Sequence, residues 1–76
     1  MFEELDTIVL KSDIKEHGLE KGDIGTVVHV YDSGKAVEAE FATAEGKTVA
    51  VLTLNANDVR SMARSEILHV RGFAAA

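Results

Sequence analysis

From Ala36 to Thr43 the chain alternates cleanly: Val37, Ala39 and Phe41 share one parity, and Glu38 and Glu40 the other. A period of two with an apolar and a charged side predicts a strand buried on one face, as in an antiparallel sheet. Ahead of it, Asp23 to Tyr31 is rich in β-branched residues and predicts another strand. Leu5 to Leu10 predicts the first strand, with Leu5, Thr7 and Val9 on one side. The segments Asp32-Ser33-Gly34-Lys35 and Ala44-Glu45-Gly46-Lys47 are turns, each with a glycine for the left-handed position. Thr48 to Leu54 is apolar on both parities, which predicts a strand covered on both sides.

The second strand opens on Lys21-Gly22-Asp23-Ile24-Gly25, a tight turn feeding a pleated run. Gly22, Asp23 and Gly25 are read as its structural turn, the glycines permitting positive φ or a close backbone approach. Lys11 to Gly22 is a connection of twelve residues, pinned to the core by Ile14 and Leu19. Loops of that length are uncommon unless they carry function or disorder. Leu54 to Arg60 carries Asn55, Asn57 and Asp58, which bond their own backbone and suit a 3-10 turn before a last strand from Val59. From Ser61 on the pattern weakens and leaves alternatives open, a sixth strand over Ile67 to Val70 or a helix over Asp58 to Arg64, and Gly72 to Ala76 reads as a frayed end. The predicted organisation is all-β: a small SH3-like antiparallel β-barrel of five strands over residues 1–60, with a C-terminal tail over 61–76. Closure hides the edges of so short a sheet.

Composition narrows the function classes. The 76 residues include no cysteine, so neither a disulfide framework nor a thiolate metal site is available. Three Phe and one Tyr in a chain that is 46% hydrophobic predict an aliphatic core without an aromatic platform. The net charge of −5 opposes association with phosphate backbones, which argues against nucleic acid as a partner. An acidic start and the lack of a long apolar run argue against a secretion signal or a membrane span, so a soluble, cytoplasmic protein is expected.

The octet Lys21-Gly22-Asp23-Ile24-Gly25-Thr26-Val27-Val28 resembles the Gly-Asp-x-Gly-x-Val turn of KOW-type and related SH3-like barrels. Together with Leu5 to Leu10, Glu16-His17-Gly18-Leu19, Val37 to Phe41 and Asn57-Asp58-Val59-Arg60, it is similar to the DUF4926 family of small bacterial proteins, over roughly residues 5–60. That resemblance implies an SH3-like barrel and no established activity. Through gene neighbourhoods that include toxin-like proteins, it also implies an antitoxin or immunity role. The chain departs from nucleic-acid-binding KOW domains in charge, because Glu16, Glu20, Asp23 and Asp32 surround the glycine turn beside only Lys15, Lys21 and Lys35.

Candidate chemistry is sparse. His17, His29 and His69 lack the close spacing of zinc ligands, so no metal site is expected. Ser12, Ser33, Ser61 and Ser65 lie at turns or ends and form no nucleophile, base and acid set, so neither catalysis nor a cofactor is expected. Glu38, Glu40 and Glu45 offer an acidic face. A solvated surface that keeps an aliphatic protein soluble explains it, and so does a docking face for a basic protein. His29 and Tyr31 are the next candidates for partner contact. The expected function is a non-catalytic protein-binding module of the antitoxin or immunity type. The alternatives are a structural accessory barrel of a bacterial enzyme complex and, further off, a nucleic-acid-binding KOW-like domain. Apolar residues in Val49 to Leu54 and in Ile67 to Val70 also predict a homodimer.

Overall fold

The computed structural model describes residues 2–73. Five strands, β1 (Thr7–Leu10), β2 (Ile24–Tyr31), β3 (Ala36–Ala42), β4 (Thr48–Asn55) and β5 (Val59–Ser61), form one sheet in the order β4-β3-β2-β1-β5. Every pairing is antiparallel. A 3-10 turn, Ala56–Asp58, precedes the last strand. Asn55 caps it by accepting the Asn57 N–H at 2.9 Å, the local bonding expected of these residues. This is the all-β, five-stranded arrangement predicted for an SH3-like barrel.

The short link between β4 and β5 dictates the curvature. These strands are the two ends of the ladder, yet only Ala56–Asp58 joins them. Four steps of extended chain span at most about 14 Å, whereas four strand spacings in a flat sheet need about 19 Å. The sheet therefore curls. Its expected closure is absent at the level of hydrogen bonds, since no ladder pairing joins β4 to β5 among the described residues.

Inside the curl, Ile8, Leu10, Leu19, Val27, Val37, Ala39, Phe41 and Val59 form the core. The predicted inward set of β3, Val37, Ala39 and Phe41, is buried. On β1 the predicted side differs. Ile8, Val9 and Leu10 are all buried, because β1 lies between β2 and β5, while Leu5 precedes the strand in a left-handed conformation and is exposed. In the long connection, Lys15–His17 forms a 3-10 turn, and Ile14 and Leu19 pair through two backbone hydrogen bonds. Leu19 is thereby driven into the core, as its apolar character predicts.

Three further expectations are overturned. β4 is not covered on both sides: as the last strand of the ladder it has no fully buried residue, and Val51 is 49% exposed. Residues Ile67 to Val70 form no sixth strand, and Asp58 to Arg64 is not helical, because Val59–Ser61 is recruited by β1. After β5 the chain turns at Ala63 to Glu66, closed by a 3.1 Å backbone hydrogen bond, and returns over the body without regular structure. Gly72 and Phe73 also lack regular structure, and the rest of the expected frayed end, Ala74 to Ala76, lies outside the described residues.

Candidate functional site

On the outward face of β2, β3 and β4 the strand register assembles four of the residues singled out from the sequence. Alternation turns Glu38 and Glu40 away from the core, about 7 Å apart along β3. Opposite them, His29 pairs with Glu38 and Thr26 with Glu40 on β2, while Thr53 and Val51 are their partners on β4. Val27, His29 and Tyr31 share a parity, yet Val27 is fully buried and the other two are exposed. A β-bulge between Val27 and His29 explains the switch, since one extra residue reverses which parity faces outward. The bulge thus puts an imidazole and a phenol beside the glutamates.

These side chains are bonded to one another. The Tyr31 hydroxyl donates to Glu38 Oε1 at 2.7 Å, and the His29 and Tyr31 rings meet edge to face at 4.4 Å between centroids. The hydrogen bond to Glu38 raises the Tyr31 pKa above its ordinary value. Thr48 Oγ1 donates to Glu40 Oε2 at 2.5 Å, and Glu4 Oε2 lies 3.8 Å from His29 Nδ1. Glu4 and Thr48 were not legible as members, because neither lies on a strand position facing Glu38. Glu45 stands apart at the turn of the β3–β4 hairpin, outside this hydrogen-bonded set.

The glycine turn has a different task. Gly22 adopts a φ of 94°, and Gly25 lies so close to the Phe41 ring that an added Cβ would come within 2.7 Å of it. Between them, Asp23 organises its surroundings. Its Oδ2 accepts the Glu20 N–H at 2.8 Å, and its backbone carbonyl accepts the Leu10 N–H at 2.9 Å. The same carboxylate receives Arg71 from the returning tail, Nε to Oδ1 at 2.8 Å and Nη2 to Oδ2 at 2.5 Å. His69 Nε2 lies 3.2 Å from Oδ1. Desolvation pushes the Asp23 pKa up, but the Arg71 hydrogen bonds, the Glu20 N–H and the charges of Arg71 and His69 outweigh it and hold the pKa below the usual value. Asp23 is thus both a turn residue and an anchor, and only the first role is legible locally.

Between the tail and the sheet runs a cleft of about 590 Å³, walled by Leu19, Ile24, Phe41 and Val49 and flanked by Asp23. His17 lies on the 3-10 turn of the long connection, exposed and distant in sequence from the other two histidines. Among the described residues no group of three or more His, Asp or Glu side chains is placed to hold a metal ion. Nor is any helix among them long and apolar enough to cross a membrane.

No curated protein and no solved structure matches the chain. Residues 4–61 match the model of the domain of unknown function DUF4926, a span that begins just ahead of β1 and ends with β5. The match takes in the five strands, the long connection, the glycine turn and the 3-10 turn, and it stops where the returning tail begins. The chain belongs to the DUF4926 family.

Proposed function

We propose that this protein is a non-catalytic binding module whose outward β2-β3-β4 face docks a basic protein. The observation that carries this reading is the exposed set His29, Tyr31 and Glu38. A defined hydrogen bond holds the Tyr31 phenol on the Glu38 carboxylate, and the His29 ring packs edge to face against Tyr31, where a merely solvated surface requires no such order. Tyrosine contributes contact area at low entropic cost, and carboxylates steer a cationic partner and fix its orientation. The net charge of −5 adds a long-range attraction of the same sign.

The specific form of this function is an antitoxin or immunity protein of a bacterial cytoplasm, acting without a cofactor on a toxin-like partner. This form rests on the gene-neighbourhood association of the family. A structural accessory barrel of an enzyme complex is the second form, and the neighbouring gene distinguishes the two: a toxin for one, an enzyme subunit for the other. The surface itself is tested by association kinetics with the protein that co-purifies from the native host. Glu38→Lys/Glu40→Lys is expected to slow association about tenfold or more at low salt and to flatten its salt dependence, with the far-UV spectrum unchanged. Equal on-rates for wild type and variant overturn the proposal.

A further inference from the structure

The returning tail is seated on the body in an unusual way. Among the described residues no backbone-to-backbone hydrogen bond ties down Ile67 to Phe73, and Ile67 and Val70 are more than 90% exposed. Its attachment is carried by side chains. The Arg71 guanidinium enters a socket built from three residues of the β1–β2 connection: the Asp23 carboxylate holds it at two points, the Gly18 carbonyl accepts from Nη2 at 2.9 Å, and Glu20 Oε2 lies 3.7 Å from Nη1. Asp23 is preorganised for this, since the Glu20 N–H fixes its carboxylate and the carboxylate is only 11% exposed. His69 lies over Gly22, and Phe73, beneath the Arg71 guanidinium at 5.9 Å, helps line the cleft.

Charge matches this geometry. Residues 1–60 hold six Lys and Arg against twelve Asp and Glu, a net of −6, and residues 61–76 hold Arg64 and Arg71 against Glu66, a net of +1. A carboxylate that receives a guanidinium at two points, with a carbonyl as third acceptor, selects the planar fork of arginine over the point charge of lysine. The apolar wall of Leu19, Ile24, Phe41 and Val49 continues from that socket along the cleft of about 590 Å³, which the tail closes on its other side.

We propose that the Asp23 socket and the cleft beside it are a docking site for an extended, arginine-bearing segment of another protein, and that the chain's own residues 68–73 cover it in the free state as a displaceable strap. The partner's arginine takes the place of Arg71 on Asp23, and an aromatic residue two positions on takes the place of Phe73. Displacement sacrifices no backbone pairing among the described residues, because the strap has none there. The cleft meets the outward face at Thr26 and Glu40, whereas the Asp23 socket lies apart from His29, Tyr31 and Glu38, so Asp23→Asn tests it without touching that face.

The test uses full-length chains and the labelled peptide Leu-His-Val-Arg-Gly-Phe with blocked ends, followed by fluorescence anisotropy. The strap competes in cis at a millimolar effective concentration, so Arg71→Ala is expected to bind the peptide about tenfold or more tightly than wild type. Replacing the peptide's arginine by alanine, or adding Asp23→Asn to the protein, is expected to abolish that gain. Equal affinity for wild type and Arg71→Ala overturns the proposal, as does a peptide that binds equally well without its arginine. A measurement on the unmutated chain guards against a misfolded variant: the Arg71 Nε–H resonance moves toward its free position as peptide is added to millimolar levels. A resonance that stays fixed overturns the proposal. So does a wild-type dimer that Arg71→Ala converts to monomer, which would make a second copy's tail the occupant.

Discussion

Replacing Gly25 by alanine inserts one methyl group where the fold has left no space. An ideal Cβ there lies 2.7 Å from Phe41 Cε2, 3.0 Å from Cζ and 3.1 Å from Cδ2. Carbon atoms prefer about 3.5–4.0 Å, so the ring must retreat by about 1 Å. Phe41 is 2% exposed and is packed in the core with Ile8, Val27 and Val37, so a shift of the ring disturbs those contacts even where one edge borders the cleft. Gly25 itself is absent from the positive-φ glycines, so the penalty is steric and owes nothing to backbone strain. Overpacking of this kind costs about 1–3 kcal/mol, partly offset by about 0.4–1 kcal/mol from a stiffer unfolded chain. The net expectation is a loss of about 1–2 kcal/mol, or roughly 4–16 °C in Tm for a domain of this size. Gly25→Val, with two further methyl groups, is expected to lose more. Urea denaturation followed by far-UV circular dichroism measures both. Phe41→Leu provides the control, because it removes the ring atoms that the new Cβ would meet. In that background Gly25→Ala is expected to be nearly harmless, giving a coupling of about 1 kcal/mol or more. A Gly25→Ala protein as stable as wild type refutes the steric reading. Costs in the double variant that add to within about 0.5 kcal/mol also refute it.

Two further outcomes are open to measurement. Glu66 receives Arg60 at both oxygens, each at 2.7 Å, and the Ala63 N–H at 2.7 Å, and these bonds lower its pKa from 4.5 to about 2. A depressed carboxylate stabilises the fold fully above its unfolded pKa, so the Ala63–Glu66 turn is expected to keep its bridge above about pH 4.5 and to lose it as the pH falls toward 2. Carboxyl NMR titration should place the Glu66 midpoint near the lower value, and a midpoint at 4.5 shows the bridge is absent. The second outcome concerns the free edge of β4, which lies in the ten-residue run Thr48 to Asn57 that carries no charge. An uncharged edge invites pairing with a second copy, so wild type is expected to self-associate at high concentration and Val51→Lys to do so less. A monomeric wild type in sedimentation equilibrium counts against this.

The parts of the fold that were legible in the sequence are those decided by neighbours in the chain. The alternation in β3 identifies its buried face because Val37, Ala39 and Phe41 need only a period of two, and Asn55 and Asn57 mark their turn through bonds to their own backbone. The errors fall where position in the sheet decides. Residues apolar on both parities describe a central strand and an uncharged edge strand equally well, so the exposure of β4 followed only from its place in the ladder. At the candidate face, Glu38 and Glu40 were legible from alternation, but the grouping with His29 and Tyr31 depends on a bulge that shifts parity mid-strand. The partnership of Asp23 with Arg71 spans 48 residues and depends on the path of a segment without periodicity, so no local pattern announces it.

The first strand and the last are partners, Ile8 facing Ser61 and Leu10 facing Val59, and this sets the order in which the chain can fold. Closing a loop of about fifty residues costs about 1.5 kcal/mol more entropy than closing a hairpin of ten. The meander β2-β3-β4 has only hairpin loops to close and can form by itself. Once formed, it shortens the remaining journey, since β1 joins β2 and the 3-10 turn then delivers Val59 directly to the other side of β1. Assembly is therefore expected to proceed from the middle of the chain outward. On the ribosome, β1 emerges first and keeps an open edge until Val59–Ser61 has been made, so the earliest strand to appear is among the last to be fully paired.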